Sequence, residues 1–170
     1  MIGKEAIRNA RHTRLMMDDP LEMILDSALG ATLQDPRVEG AEIYLLDGKT
    51  GELTYSCHRG LSEACVKEAE ATPVRLGEGI IGFVASTGQP VFVADLPQEA
   101  GFPRKIPKKE GYCSFYSLPI KSAGRVCGVW NLFFRTQQLS SRYLNWLAIS
   151  AEFMGEVLEY AETVEESNGR

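Results

Sequence analysis

The residues of this 170-residue chain best suited to nucleophilic, redox or metal chemistry are four cysteines, Cys57, Cys65, Cys113 and Cys127, and two histidines, His12 and His58. Their spacing supports little of that chemistry. No CxxC pair and no Cys/His cluster offers the four ligands that zinc needs. Cys57-His58 is an isolated dipeptide, and His58 has no second ligand at metal spacing, so no metal site is expected. Met1 to Arg14 lacks the apolar core of a secretory signal, so the expected address is cytoplasmic, where the cysteines would stay as thiols. Gly77-Glu78-Gly79 could suggest a phosphate cradle. However, Gly82 of the same run falls inside the helix that follows, and no Lys-Ser/Thr pair comes after it. Tight packing of a helix is the simpler reading.

Composition narrows the class further. A hydrophobic fraction of 44% and a charged fraction of 24% suit a globular domain with a sizeable core. The net charge of -5 argues against nucleic acid as a partner. No apolar run reaches the roughly 20 residues needed to cross a bilayer.

The elements that would position a site follow from periodicity. Asp19-Pro20-Leu21-Glu22 reads as a helix start, and Leu21, Ile24, Leu25, Ala28, Leu29 and Leu33 continue it as one apolar stripe to about residue 34. Ala41–Leu46 and Glu52–His58 read as a β-hairpin across the turn residues 47–51. Leu53, Tyr55 and Cys57 are expected on one face of the second strand. Ser62 caps a short helix to Ala71, Ile80–Ser86 forms a buried one ending at Gly88, and Pro90–Asp95 is a strand. Residues 97–112 form a long loop of the kind that carries function. Strands Phe115–Lys121 and Arg125–Arg135 come next, the second apolar at nearly every position and so covered on both faces. A last helix starts at Ser140 or Ser141 and runs to about Glu166. Sequential hairpins with helices on both sides imply an α+β fold with an antiparallel sheet.

Three pieces of sequence resemble the GAF domain family. They are Gly77-Glu78-Gly79-Ile80-Ile81-Gly82-Phe83-Val84-Ala85 with Thr87-Gly88-Gln89-Pro90; Val93-Ala94-Asp95; and Gly111–Ile120 with Gly124–Val129. The resemblance implies a central GAF/PAS-like antiparallel sheet. The N- and C-terminal helices would cover one face, and short helices with the 97–112 loop would enclose a pocket on the other. It also implies a regulatory role rather than catalysis. GAF domains that reduce free methionine sulfoxide place a cysteine where this chain has Ile81 and another where it has Ala71, so neither thiolate exists here. The signature of cyclic-nucleotide members is not found. Cys57-His58 lies in the wrong element for bilin attachment. No cofactor is specified.

The expected organisation is a basic helical segment over residues 1–18, the GAF domain over 19–166 and a disordered tail over 167–170. By family position, the expected ligand-binding residues are Phe83, Val93, Asp95, Cys113, Ser114, Tyr116 and Trp130. Each has core packing as its alternative. Arg104, Lys105, Lys108 and Lys109 make the loop tip cationic; folded over a pocket they would favour an anionic ligand. A solvated loop is the other reading.

The last helix carries two apolar stripes. Leu139, Tyr143, Trp146, Ser150, Phe153, Val157, Tyr160 and Val164 are spaced as a coiled-coil seam, and Leu147, Ala151, Met154, Leu158 and Ala161 lie beside it. One stripe would cover the sheet and the other would meet a second copy. The acidic end of this helix and the basic N-terminal segment could pair. The expected function is a small-molecule sensor that signals through its terminal helices, either standing alone or as part of a larger signalling protein. The alternative is a dimerisation module without a ligand.

Overall fold

The computed structural model describes residues 20–168. The basic segment 1–18 and the Asp19 cap lie outside them. In chain order the elements are α1 (Pro20–Thr32), β1 (Gly40–Leu46), β2 (Glu52–Arg59), α2 (Glu63–Ala71), β3 (Val74–Arg75), α3 (Gly79–Thr87), β4 (Val91–Val93), a 3-10 turn (Leu96–Gln98), α4 (Ile106–Lys109), β5 (Ser114–Ser122), β6 (Arg125–Phe134) and α5 (Ser141–Asn168). The six strands form one sheet in the order β3-β2-β1-β6-β5-β4, with antiparallel neighbours throughout. This is the α+β architecture expected from the sequence.

Local chemistry explains the boundaries. The Asp47 carboxylate accepts hydrogen bonds from the amides of Lys49 and Thr50 (2.8 and 3.3 Å) and so folds the β1–β2 turn. The Ser62 hydroxyl accepts from the Cys65 amide at 3.1 Å and caps α2. The 97–112 segment is more ordered than a plain loop. It holds the 3-10 turn and α4, and Glu68 of α2 accepts both the Lys105 and Ile106 amides at 2.8 Å. Gly82 allows α3 to lie directly on β3. A side chain there would run into the Arg75 carbonyl, which favours tight packing over a phosphate cradle.

The sheet divides the core in two. On one face Ile43, Leu45, Leu118, Ile120, Leu132 and Phe134 pack against Leu25 and Leu29 of α1 and Leu147, Ala151 and Leu158 of α5. On the other, Tyr44, Phe115, Val129 and Phe133 pack against Ile81 and Val84 of α3 and against Leu96, Phe102 and Tyr112. One expectation fails in β2. The register with β1 shifts between Ile43 and Tyr44, pairing them with Cys57 and Tyr55, so Ser56 is a bulge residue. The bulge turns Cys57 to the helix face, while Leu53 and Tyr55 stay on the other.

Helix α5 continues to Asn168, two residues past its expected end and into the expected tail. Its two stripes separate in part: Leu139 and Tyr143 of the seam turn to the helix-side core, and Ile149, in neither stripe, joins the exposed residues. Tyr143 is buried in the helix-side core, together with Leu147, Ala151, Met154 and Leu158. Trp146, Ile149, Phe153 and Tyr160 stand 56%, 64%, 66% and 72% exposed. Gly155 faces the sheet, where an added side-chain carbon would lie 2.6 Å from the Lys121 carbonyl carbon and closer still to its oxygen. Further along, the Glu159 carboxylate accepts from the Ala123 amide at 2.9 Å, tying α5 to the β5–β6 turn.

Candidate functional site

Opposite α5, the sheet carries a row of polar residues through an otherwise apolar layer. Ser117 of β5 pairs in register with Asn131 of β6, Asn131 pairs with Glu42 of β1, and Glu42 pairs with His58 of β2. Ser117, Asn131 and Glu42 are fully buried. They form a directed chain: the Ser117 hydroxyl donates to Asn131 Oδ1 at 2.8 Å, and Asn131 Nδ2 donates to Glu42 Oε1 at 3.1 Å. Glu42 also receives Arg104, which descends from the segment before α4. One guanidinium nitrogen donates to Glu42 Oε2 at 3.0 Å and the other to Oε1, forming a bidentate pair.

The surroundings of this pair explain how it is tolerated. Arg104 is 3% exposed, with its guanidinium carbon 5.0 Å from the Phe102 ring centroid and 5.5 Å from that of Phe133. Burial works against its charge, yet the Glu42 carboxylate reverses the direction and holds the guanidinium pKa above its ordinary value. Tyr44 and Tyr55, edge-to-face at 5.2 Å, stand beside the pair. Burial, then the charge of Glu42, pushes both phenol pKa values up. Neither hydroxyl makes a hydrogen bond among the described residues. Burying such a group without a partner is costly, and Trp130 Nε1 in the helix-side core shares that state, so it is their place beside the ion pair that singles out the two tyrosines.

Two openings lie on this side of the sheet, and only the smaller reaches the Arg104 pair. The larger is an open cleft of about 620 Å³ bordered by Ile80, Phe83, Val93, Asp95, Gln98 and Glu99, among others. The smaller, about 130 Å³, runs between Val74, Glu78, Ile81 and Phe102 and ends on Arg104.

The expected site residues are scattered over these features. Phe83, Val93 and Asp95 meet in the larger cleft. Cys113 does not line it; its carbonyl accepts from the Leu96 amide at 2.9 Å. The Ser114 hydroxyl is tied to the Thr136 carbonyl. Tyr116 and Trp130 belong to the helix-side core, so they do not face the cleft; the β5–β6 register sends them to the opposite side of the sheet. The cationic loop tip also needs correction. Arg104 is buried and neutralised rather than presented to a ligand, and Lys108 Nζ donates to the Glu99 carbonyl at 2.6 Å. Glu42, Asn131, Tyr44 and Tyr55 were missed. The available signal was a single polar residue in each of the runs Gly40–Leu46 and Val126–Phe134.

The GAF domain family model matches residues 18–159. The chain belongs to the GAF domain family. Among solved structures, a GAF domain of a phosphoenolpyruvate-protein phosphotransferase from Coxiella burnetii superposes with a TM-score of 0.72 at 17% identity, covering 96% of this chain and 94% of that one. A type II free methionine-R-sulfoxide reductase from Thermoplasma acidophilum gives 0.65 at 16% identity, covering 84% of this chain and 96% of its own. At such identities both show the shared fold alone. The Nif-specific regulatory protein of Azospirillum lipoferum is 31% identical over 113 residues, covering 64% of this chain and 18% of that protein. The chain therefore spans less than a fifth of that relative.

Within this GAF domain, Ile81 is buried in α3 and Ala71 ends α2, at the two positions where the reductase pattern has thiols. Of the cysteines present, Cys65 is fully buried and donates to Glu110 Oε2 at 3.3 Å. Burial, with help from that carboxylate, pushes its thiol up to about 11. At pH 8 its alkylation by iodoacetamide is expected to be at least about a hundredfold slower than that of a free thiol, since only the thiolate reacts. Mass spectrometry of the labelled peptides, set against a small thiol in the same tube, measures this. Rapid labelling of Cys65 in folded protein would contradict the burial.

Proposed function

We propose that this GAF domain is a regulatory sensor that binds a small molecule on the α3 side of its sheet and signals through α5. The polar row Ser117–Asn131–Glu42, buried beneath the Arg104 segment with two unpartnered tyrosine hydroxyls, is the observation that carries the reading. Well-packed apolar side chains can replace a buried pair at little or no cost, so a pair and a polar row kept in this layer favour a role beyond scaffolding. The family and the Nif-specific relative support a regulatory setting within a larger signalling protein, and a cytoplasmic address is part of the same proposal. Isoleucine and alanine at the two thiol positions support a domain without reductase activity. Phe83, Val93 and Asp95, at the larger cleft, are the outer contacts of the site; Cys113 and Ser114 would act from outside its lining.

Native mass spectrometry of purified protein tests this reading. A co-purified small molecule released on denaturation supports it. Protein that is empty, and that shifts neither mass nor melting temperature with any of a metabolite panel, would overturn it in favour of a ligand-free module.

That second reading has its own observation. The bare stripe Trp146–Ile149–Phe153–Tyr160 runs along α5 at helical spacing, and an apolar strip of this kind is rarely left uncovered. In this reading a second copy covers it. The double substitution Trp146→Glu and Phe153→Glu is expected to convert a dimer to a monomer in analytical ultracentrifugation, with unchanged circular dichroism. A dimer that persists would place the interface elsewhere, and a monomeric wild type would remove it.

A further inference from the structure

The polarity of the site bears on the class of ligand it would take. Its parts fall into two sets. Glu42, Asn131 and Ser117 sit on the three central strands β1, β6 and β5, and Tyr44 and Phe133 sit on β1 and β6; all are fixed by the sheet. Arg104 and Phe102 sit on the short segment between Gly101 and Lys105. That segment is fastened at one end by the Ile80 amide donating to the Gly101 carbonyl and at the other by Glu68 holding the Lys105 amide. The fixed set has one formal charge, the Glu42 carboxylate. The positive charge belongs to the segment.

The orientation of the fixed set adds to this. Asn131 turns its oxygen toward Ser117 and gives its N–H to Glu42, so the row ends in a carboxylate. Within the fixed set, the face of Phe133 lies toward the guanidinium, and Tyr44 and Tyr55 stand alongside with hydroxyls free to accept a hydrogen bond; the Phe102 ring also faces the guanidinium but belongs to the segment that carries it. A carboxylate beside aromatic groups suits an organic cation, whose charge the ring faces also attract. Arg104 is such a cation, supplied by the protein. The narrow cleft that ends on it carries Glu78 at its lining, another acid.

We infer that this interior site binds a small organic cation, a guanidinium or primary ammonium compound, which takes the place of Arg104 on Glu42. The inference rests on the sensor reading of the same face and replaces the anionic ligand suggested by the loop lysines. Arg104 then acts as a built-in competitor: the free domain is closed by its own guanidinium, and a diffusible cation displaces the segment that carries it.

The test uses Arg104→Ala and ethylguanidinium, which restores the atoms removed. N-ethylurea is the neutral control of the same shape, and acetate and phosphate are the anionic controls. Isothermal titration of folded R104A is expected to show saturable uptake of ethylguanidinium at least about tenfold tighter than N-ethylurea, and a loss of about tenfold or more when Glu42→Gln is added. Equal binding of the urea would mean a cavity with no charge preference and would overturn the inference, as would tighter binding of acetate or phosphate. If R104A does not fold alone, the same probes are scored by recovery of its circular dichroism. Recovery with ethylguanidinium only supports the cation site; recovery with neither or with both refutes it.

Wild-type protein titrated with agmatine separates this inference from the sensor reading. A change in the exchange of the Arg104 Nε–H with matching changes along α5 supports both. Uptake by R104A with no response in wild type would keep the cation site and remove the sensory role. Saturable binding of an anion by wild type, with Arg104 still on Glu42, would keep the sensor and remove the cation site.

Discussion

Substituting Glu42 with alanine is expected to destabilise the domain by about 3–5 kcal/mol, the usual cost of leaving one partner of a buried ion pair alone. The guanidinium of Arg104 would remain in an apolar layer with no anion, and Asn131 Nδ2 would lose its acceptor as well. A domain of this size is stable by only about 5–15 kcal/mol, so a large share of the total is at stake. Urea denaturation gives the number, provided that the slope is unchanged between variants. The double variant E42L/R104M should recover most of the loss, because well-packed apolar residues commonly replace a buried pair at little or no cost. A loss below about 1 kcal/mol in E42A would have a definite meaning. It would show that the Arg104 segment swings out to water at small cost, so that the site opens readily.

The elements were legible in the sequence because burial on one face imposes a period. The stripe of α1, the hairpin turn at Asp47 and the cap at Ser62 all follow from local rules, and local rules survive folding. The site was much less legible. A strand covered on both faces has no alternation, so nothing in Val126–Phe134 tells which side a residue takes; Trp130 faces the helices and Asn131 the opposite layer. The parity of β2 was readable up to Tyr55 and wrong after it, since one bulge residue reverses every position beyond. Arg104 was hidden by its neighbours. Among Lys105, Lys108 and Lys109 it looks like one more solvated cation, and only the fold places it on a carboxylate 62 residues away.

Gly155→Ala is expected to loosen or displace α5, although alanine is the better helix former. The propensity gain is about 1 kcal/mol. Against it stands a methyl group driven into the Lys121 backbone, whose amide nitrogen lies 2.9 Å from the new carbon and whose carbonyl lies nearer. Lys121 is paired to β6 at the hairpin end of β5, and backbone held in this way cannot step aside as a flexible side chain can, so the cost should reach or exceed the usual overpacking range of about 1–3 kcal/mol. Gly30→Ala is the matched control. It lies in α1 with nothing within 4 Å of the added carbon, and it should stabilise by about 0.5–1 kcal/mol. Thermal unfolding of the two variants should therefore move in opposite directions. The consequence for signalling follows from the same contact. Lys121 lies on β5, the strand that also carries Ser117, and the Glu159–Ala123 hydrogen bond fastens the next turn of α5 to the end of that strand. A helix seated backbone to backbone cannot absorb a small shift of the strand; it must move with it. In G155A a ligand response along α5 should weaken by more than the response at Tyr44 and Asn131, as measured by amide shifts in one titration. Equal attenuation at both places would mean that the contact supports the fold without carrying the signal.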